Sequence, residues 1–437
     1  MAMHIYFSGI GGTGIGPLAL IAKQTDYTVS GSDKQDSQYI AYLRKHGISD
    51  VHIGQDRESI AKAHSKNPID WFVYSSALSL ENANAPELVF CKEQGIKTSK
   101  RDELLNQILQ DKDLKLIAVA GTHGKTTTTA MLVWLFKQLD IPISYQVGAK
   151  IGFGEMGEYN PNSKYFVYEC DEFDRNFLAF RPHLSLITGV SWDHHEIFPT
   201  REDYQDAFRE FLEQSDHAVL WQDDVNYLNF KPRAYDTILI PEASQAQMIK
   251  LSGLYNRLDA RLAIEAMYKL GLVDAGVTKV ASFEKINNFP GLQRRMEQIV
   301  PNLFSDYAHT PEKIRGAMSV ALEMAAENDQ EVVVVYEPLT NRRQHYMLGD
   351  YGDCFAGATH VYWTPSYLAR EDPTQRIIEP AELITHLADP SIAEPAELGS
   401  VLKAKIQQHL DSGAMVVAMA GGGGNSLDEW LRKEFTR

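Results

Sequence analysis

Residues 114–129 read Leu-Lys-Leu-Ile-Ala-Val-Ala-Gly-Thr-His-Gly-Lys-Thr-Thr-Thr-Thr, and this stretch decides the fold. Leu114–Ala120 is a short apolar run with β-branched members, the pattern of a parallel strand buried on both faces. Gly121–Thr126 turns the chain, and Thr127–Leu139 reads as a helix. A strand, a glycine-rich turn, Lys-Thr and a helix together make a phosphate cradle. The glycines let backbone N–H groups close around phosphate oxygens, and the helix N-terminus adds partial positive charge. Lys125 is placed to reach the β- and γ-phosphates, and the Thr126 hydroxyl to meet Mg²⁺. The usual spacing puts four residues between the two glycines; here there are two, Thr122 and His123.

Working outward, two further strands aim acid and imidazole groups at the same place. Tyr165–Tyr168 delivers Glu169-Cys170-Asp171-Glu172-Phe173-Asp174, and Leu184–Val190 delivers Ser191-Trp192-Asp193-His194-His195-Glu196. In open α/β sheets ligands sit beyond the carboxyl ends of strands. A solvated acidic loop would account for Asp171–Asp174 alone, but beside Lys125-Thr126 a Mg²⁺–nucleotide site is the better account. Arg201–Gln214 and Gly253–Leu270 read as helices.

Toward the N-terminus, the strand His4–Ser8 runs into Gly9-Ile10-Gly11-Gly12-Thr13-Gly14-Ile15-Gly16. Gly9, Gly11 and Gly14 make a G-x-G-x-x-G turn before a helix reaching about Lys23. The strand Tyr27–Ser30 then leads to Asp33, where a ribose hydroxyl partner belongs. This loop reads a diphosphate and does not say which nucleotide carries it, so NAD stays open on pattern alone. A third strand, Asp70–Tyr74, ends at Ser75-Ser76-Ala77.

Beyond Pro290 the chain is again α/β, with strands at Glu331–Tyr336, Thr359–Trp363 and Met415–Met419. The last runs into Ala420-Gly421-Gly422-Gly423-Gly424-Asn425, a turn that lets a helix begin close to a strand or cradles a further anion. Asp306–Pro311 precedes a helix at Glu312–Ala326 and either caps it or meets substrate. The expected architecture is α/β in three parts: a Rossmann-like 1–110, a P-loop ATPase-like parallel sheet in 111–289, and a Rossmann-like 290–437.

Composition agrees. The 437 residues are long enough for about three domains. A net charge of −16 argues against a broad nucleic-acid footprint or an anionic membrane surface. Three scattered cysteines, Cys91, Cys170 and Cys354, make neither a disulfide framework nor a zinc motif. With no leader-like start and no long apolar run, a reducing, cytoplasmic setting is expected.

Taken in order, these motifs resemble the Mur ligase family, the ATP-dependent amide-forming enzymes of peptidoglycan precursor synthesis. The resemblance spans Gly9–Gly16, Gly31–Asp33, Ser75–Ala77, Gly121–Thr129, Glu169–Asp174, Asp193-His194, Asn256, Pro290–Arg295 and Asp306–Pro311. The two-residue spacing in Gly121–Lys125 is that family's own variant. The resemblance implies that the first loop holds a UDP-sugar rather than NAD, through Gly9, Gly11, Gly12, Thr13, Gly14, Asp33 and Ser75. ATP would meet Gly121, Thr122, His123, Gly124, Lys125, Thr126, Thr127, Asn256 and Arg294. Thr126, Glu169 and His194 would hold Mg²⁺.

The implied reaction activates the lactyl carboxylate of UDP-N-acetylmuramate as an acyl phosphate, which an incoming amine then displaces. Lys125, His194, His309 and Arg343 would be the catalytic residues. Some positions depart from the family pattern: Tyr255, Asp259, Thr310 and Thr340 stand where it has His, Asn, His and Arg. Gly9–Gly16 and Ser75–Ala77 lean toward the members that add L-alanine. Glu337-Pro338-Leu339-Thr340-Asn341 leans toward a recycling relative that adds a whole tripeptide. Residues 195–230 contain no lysine, unlike the later ligases, which use a carbamylated one.

Overall fold

A computed structural model describes residues 2–75, 78, 84–194, 197–241, 248–274, 276–368, 371, 374–422 and 425–436. Ser76, Ala77, His195, Glu196, Gly423 and Gly424 of the motifs above lie outside the described residues. Among the described residues the strands form three sheets, and no helix is long and apolar enough to cross a membrane.

The first sheet contains β1 (His4–Ser8), β2 (Thr28–Asp33), β3 (Val51–Ile53), β4 (Trp71–Tyr74) and β5 (Lys97–Lys100). Its order is β3-β2-β1-β4-β5, every pair parallel, as a Rossmann-like half requires. The second contains β6 (Lys115–Ala120), β7 (Ser144–Gln146), β8 (Gly157–Glu158), β9 (Tyr165–Glu169), β10 (Leu184–Ile187), β11 (His217–Trp221) and β12 (Thr237–Leu239). Its order is β12-β11-β10-β6-β9-β7-β8, with only β8 antiparallel to its neighbour. The third contains β13 (Glu297–Val300), β14 (Leu303–Asp306), β15 (Val332–Glu337), β16 (His360–Trp363), β17 (Ala393–Pro395) and β18 (Met415–Ala420). Here the order is β13-β14-β18-β15-β16-β17, with β13 antiparallel.

The third sheet shows why such runs are almost wholly apolar. On β15, Val332, Val334 and Tyr336 enter one core, and Val333 and Val335 enter the core on the opposite face. β18 divides in the same way, with Met415, Val417 and Met419 against Val416, Ala418 and Ala420. Period-two alternation with helices on both faces leaves no solvent side, so polar residues have no place along the strand.

The chain packs as two compact units: residues 1–249 with 258–289, and residues 250–257 with 290–437. The first two sheets share a unit because their cores are continuous. Leu104, Leu105 and Ile108 of the helix Arg101–Asp111 belong to one apolar cluster with Ile5 and Leu18 of the first sheet's layer and Leu116 and Phe166 of the second. A one-turn apolar stripe is enough to join them. A few hundred Å² of buried apolar surface is worth several kcal/mol, at about 25 cal/mol per Å².

Candidate active site

In each sheet the glycine-rich or functional loop leaves a strand flanked by the strands that carry its partners. In the second sheet β6 lies between β10 and β9, so residues 121–126 emerge between the segment bearing His194 and the one bearing Glu169–Asp174. Gly121 and Gly124 both take positive φ, +141° and +77°. A Cβ on Gly124 would meet Asp259 Oδ1 at 2.6 Å, and one on Gly121 would meet Thr188 Oγ1 at 2.4 Å. The left-handed Gly124 is the N-cap, so the helix Lys125–Gln138 begins two residues before the apolar pattern suggests. Lys125 and Thr126 therefore stand in its first turn, beside its unpaired N–H groups.

Lys125 is largely buried, and its ammonium donates to Gly121 O at 2.6 Å and Glu172 Oε2 at 2.7 Å. Burial alone would lower its pKa, but Glu172 and Asp171 together raise it above the ordinary lysine value. Burial likewise pushes Asp171 up, and it is held below its ordinary value by Lys125 and Arg101. Glu172 is fully buried and also accepts from Tyr204 OH at 3.2 Å. Tyr204 OH meets Thr122 Oγ1 at 2.8 Å, and Thr122 Oγ1 donates to Ser191 O at 2.7 Å. The chain Ser191–Thr122–Tyr204–Glu172–Lys125 thus ties the phosphate loop to the segment after β10. Thr122, expected to meet ATP, is thus also a structural link; Tyr204 sits in the first turn of the helix Arg201–Gln214, where no sequence signal separates it from a core aromatic.

Thr126 Oγ1 donates to Glu169 Oε1 at 2.9 Å. Glu169 Oε2 is buried and has no hydrogen-bond partner among the described residues, and a Cβ on Gly148 would lie 2.6 Å from it. Asp171, Glu172 and His194 each offer a ligand atom within 4.8 Å of one another. His194 holds a positive φ of 54° and its ring meets Phe173 edge-on at 5.2 Å, with Nε2 3.8 Å from Glu172 Oε1. These carboxylate, hydroxyl and imidazole donors fit a divalent cation, with Glu169 and Thr126 forming the harder, all-oxygen part suited to Mg²⁺.

In the first sheet β1 lies between β2, which ends at Asp33, and β4, which ends at Tyr74 just before Ser75. Gly9 N and Ile10 N donate to Ser32 O, and Gly11 N donates to Asp33 Oδ2 at 2.8 Å. Gly12 and Thr13 are exposed at the tip, and Gly16 N returns to Gly12 O. Beneath the loop, the fully buried Glu87 accepts from Ser8, Ser32 and Tyr6 hydroxyls. It comes from a helix whose sequence carries no functional signature.

In the third sheet β18 lies between β14 and β15, bringing Asp306–Pro311, Gly421–Gly422 and Glu337–Arg343 to one edge. His309 is buried, its Nδ1 facing Tyr307 O at 2.8 Å and its Nε2 facing Arg343 Nη1 at 3.3 Å. Burial, then Lys313 and Arg343, hold its pKa well below the ordinary imidazole value. A neutral ring with Nδ1–H donating to the carbonyl and Nε2 accepting from arginine satisfies both contacts. A Cβ on Gly421 would lie 2.7 Å from His309 Cγ, so that glycine is needed for the ring to seat. Thr340 caps the helix Asn341–Met347 by accepting from Arg343 N.

Arg294 and Asn256 both belong to this second unit. Arg294 donates to Ala420 O at 2.8 Å and lies 4.7 Å over the Tyr307 ring, and Asn256 Nδ2 donates to Ser252 O at 2.8 Å. The structure thus gathers Gly121–Thr127, Glu169 and His194 at one sheet edge, Gly9–Gly14, Asp33 and Ser75 at another, and His309 and Arg343 at a third.

A phosphate loop on a doubly wound sheet, flanked by a carboxylate cluster and an imidazole, defines a protein that works on nucleotide phosphates. The model of the Mur ligase family catalytic domain matches residues 4–113, and that of the Mur ligase middle domain matches residues 119–269. A UDP-N-acetylmuramate–L-alanine ligase from Caldicellulosiruptor saccharolyticus is 30% identical over 84% of this chain and 84% of its own. One from Acetivibrio thermocellus is 29% identical over 99% and 96%. The crystal structure of UDP-N-acetylmuramate–alanine ligase from Thermotoga maritima shares the fold, with a TM-score of 0.75 at 23% identity, covering 100% of this chain and 99% of that one. The chain belongs to the Mur ligase family.

Proposed function

We propose that this chain forms an amide between UDP-N-acetylmuramate and L-alanine at the expense of ATP, in peptidoglycan precursor synthesis. The observation that carries the reading is the buried Lys125–Glu172 pair beside Thr126–Glu169, at the strand edge of a chain nearly collinear with alanine ligases. Residues 1–110 hold the UDP-sugar, 111–289 hold ATP, and 290–437 receive the amine. Both nucleotide substrates are metabolites of the cell interior, and the chain is read as cytoplasmic.

A carboxylate is a poor acylating agent because its leaving group would be oxide. Its oxygen attacks the γ-phosphate, the bond to the bridging oxygen of ADP breaks, and an acyl phosphate forms. The amine then attacks the carbonyl carbon and inorganic phosphate leaves. In the first step two anions must approach, so positioning and charge neutralisation govern the rate. Lys125, held protonated by its carboxylate neighbours, supplies a fixed positive charge where phosphate charge is transferred. Backbone N–H groups of residues 124–127 hold the phosphate oxygens. Thr126 and Glu169, with His194 nearby, would hold Mg²⁺, which when bound offsets phosphate charge. Arg343 clamps the carboxylate of the incoming amino acid, and neutral His309 aims Arg343 through Nε2.

A second reading draws on Glu337–Asn341. Thr340 stands where alanine ligases carry an arginine, and the segment resembles the tripeptide-adding relative. The test is phosphate release with ATP, Mg²⁺ and UDP-N-acetylmuramate, offering either L-alanine or L-Ala-γ-D-Glu-diamino acid. Turnover with L-alanine is the expected result. Turnover only with the tripeptide would move the chain to the recycling reaction, and none with either would end both readings.

A further inference from the structure

Arg101 plays no part in the chemistry described so far. It opens the helix Arg101–Asp111 directly after β5, and a Cβ on Gly14 would lie 2.2 Å from its Nη1. The guanidinium therefore rests on Gly14, the last glycine of the G-x-G-x-x-G turn. Tyr168, Asp171 and Glu169, at and just beyond the carboxyl end of β9, act on its charge. Both flanks are fixed: Gln146 Nε2 donates to Gly14 O at 3.1 Å, and Lys100 pairs with Asp174. Among the described residues the guanidinium donates no hydrogen bond and closes no ion pair within contact distance.

A partly buried guanidinium with five N–H donors and no acceptor is costly to hold unless a ligand supplies one. Its planar fork matches a carboxylate or phosphate bidentately. Asp171 and Glu169 lie near enough to hold the arginine in place electrostatically, yet neither bonds to it. The cation is thus stationed between the first glycine loop and the acidic segment beside the phosphate loop.

We propose that Arg101 binds an oxyanion of the sugar nucleotide, at the seam between Gly9–Gly14 and the end of β9. This deepens the function proposed above and rests on it for the identity of the ligand. Two groups of UDP-N-acetylmuramate share the required chemistry, the diphosphate and the lactyl carboxylate. Lys125 already serves the ATP side, so the ATP site should not depend on Arg101.

The test is calorimetric titration of the full chain, Arg101→Ala and Arg101→Lys with UDP-N-acetylmuramate, UDP and ATP in turn. Arg101→Ala should weaken UDP-N-acetylmuramate by about tenfold or more and leave ATP within about twofold. An equal loss for UDP assigns the diphosphate; unchanged UDP affinity assigns the carboxylate. Affinity for UDP-N-acetylmuramate within about twofold of the parent chain, or an equal loss of ATP affinity, overturns the proposal. If Arg101→Ala does not fold, Arg101→Lys decides, since it keeps the charge and loses the fork. A selective loss of sugar nucleotide supports the assignment, and unchanged affinity ends it. Should the parent chain bind UDP but not UDP-N-acetylmuramate, the substrate reading falls and Arg101 is judged on UDP alone. A parent chain that binds neither overturns both.

Discussion

The loops after β6 and β14 follow one plan and treat their buried charge in opposite ways. Each leaves a strand and runs into a helix, and each buries a basic side chain at the strand's carboxyl end. Burial by itself lowers the pKa of both Lys125 and His309. Carboxylates surround Lys125, so it stays charged; Arg343 and Lys313 surround His309, so it stays neutral. The neighbour decides the sign, and the two sites are fitted for different ligands. A fixed cation suits a polyphosphate. A neutral imidazole steering an arginine suits an amino acid, whose carboxylate must be held while its amine loses a proton.

The largest effect should come from breaking the charged site. Lys125→Ala should lower kcat by about 10³-fold or more, within the range lost when a cation at a transferring phosphoryl group is removed. It also strands Glu172, which is fully buried, at a cost of roughly 3 kcal/mol in stability. Phosphate release and urea unfolding would read the two effects separately. The double variant Lys125→Met/Glu172→Gln should recover most of the stability and none of the activity. Full activity in Lys125→Ala would remove the residue from the chemistry.

How much of this contrast could be read beforehand differs between the sites. Lys125, Thr126 and the acidic run after β9 were legible because one phosphate-binding turn constrains a whole segment: strand, glycines, lysine and helix must come in order. Strands with long apolar continuity were legible, as in Val332–Glu337, where both faces are covered; Leu303–Asp306 and His217–Trp221, largely buried but shorter and carrying polar residues, were not read as strands. The helix start at Lys125 was missed by two residues because Gly124's left-handed backbone, not side-chain periodicity, sets it. Tyr204, Glu87 and Arg101 were not legible. Each acts through a partner distant in sequence (Glu172, Ser32 and Gly14), and no local pattern reports such a pairing. The continuous core beneath the first two sheets was hidden for the same reason: the stripe of Arg101–Asp111 looks like that of any amphipathic helix.

A smaller effect should come from the neutral site. If His309 positions Arg343, His309→Ala should raise KM for L-alanine by about tenfold, roughly the worth of one charge-assisted contact. KM for ATP should not move, and kcat should fall less than in Lys125→Ala. His309→Gln, which can still accept from Arg343, should restore part of the loss. A fall in kcat alone, with both KM values unchanged, would instead make His309 a direct participant in the amine's proton transfer and narrow the contrast with Lys125.

The effect that isolates electrostatics from turnover, read on stability rather than on activity, concerns Glu337. It lies at the end of β15, is 4% exposed, and accepts from Leu427 N at 3.0 Å through Oε2 alone. Burial pushes its carboxyl up to about 7, against the opposing pull of that N–H and of Arg294. In the folded chain it therefore binds a proton at pH values where the unfolded chain has released it, so stability falls as pH rises from about 4.5 to about 7. The loss from this group is at most roughly 3 kcal/mol. Glu337→Gln cannot ionise. It should match the parent chain near pH 4.5 and exceed it by a growing margin toward pH 8, read from urea midpoints. Lys125 offers the control, because its folded value lies above the ordinary one and its contribution is constant across that window. A margin that does not grow with pH would mean that Glu337 stays ionised in the fold, and that the second unit, like the first, compensates its buried charge.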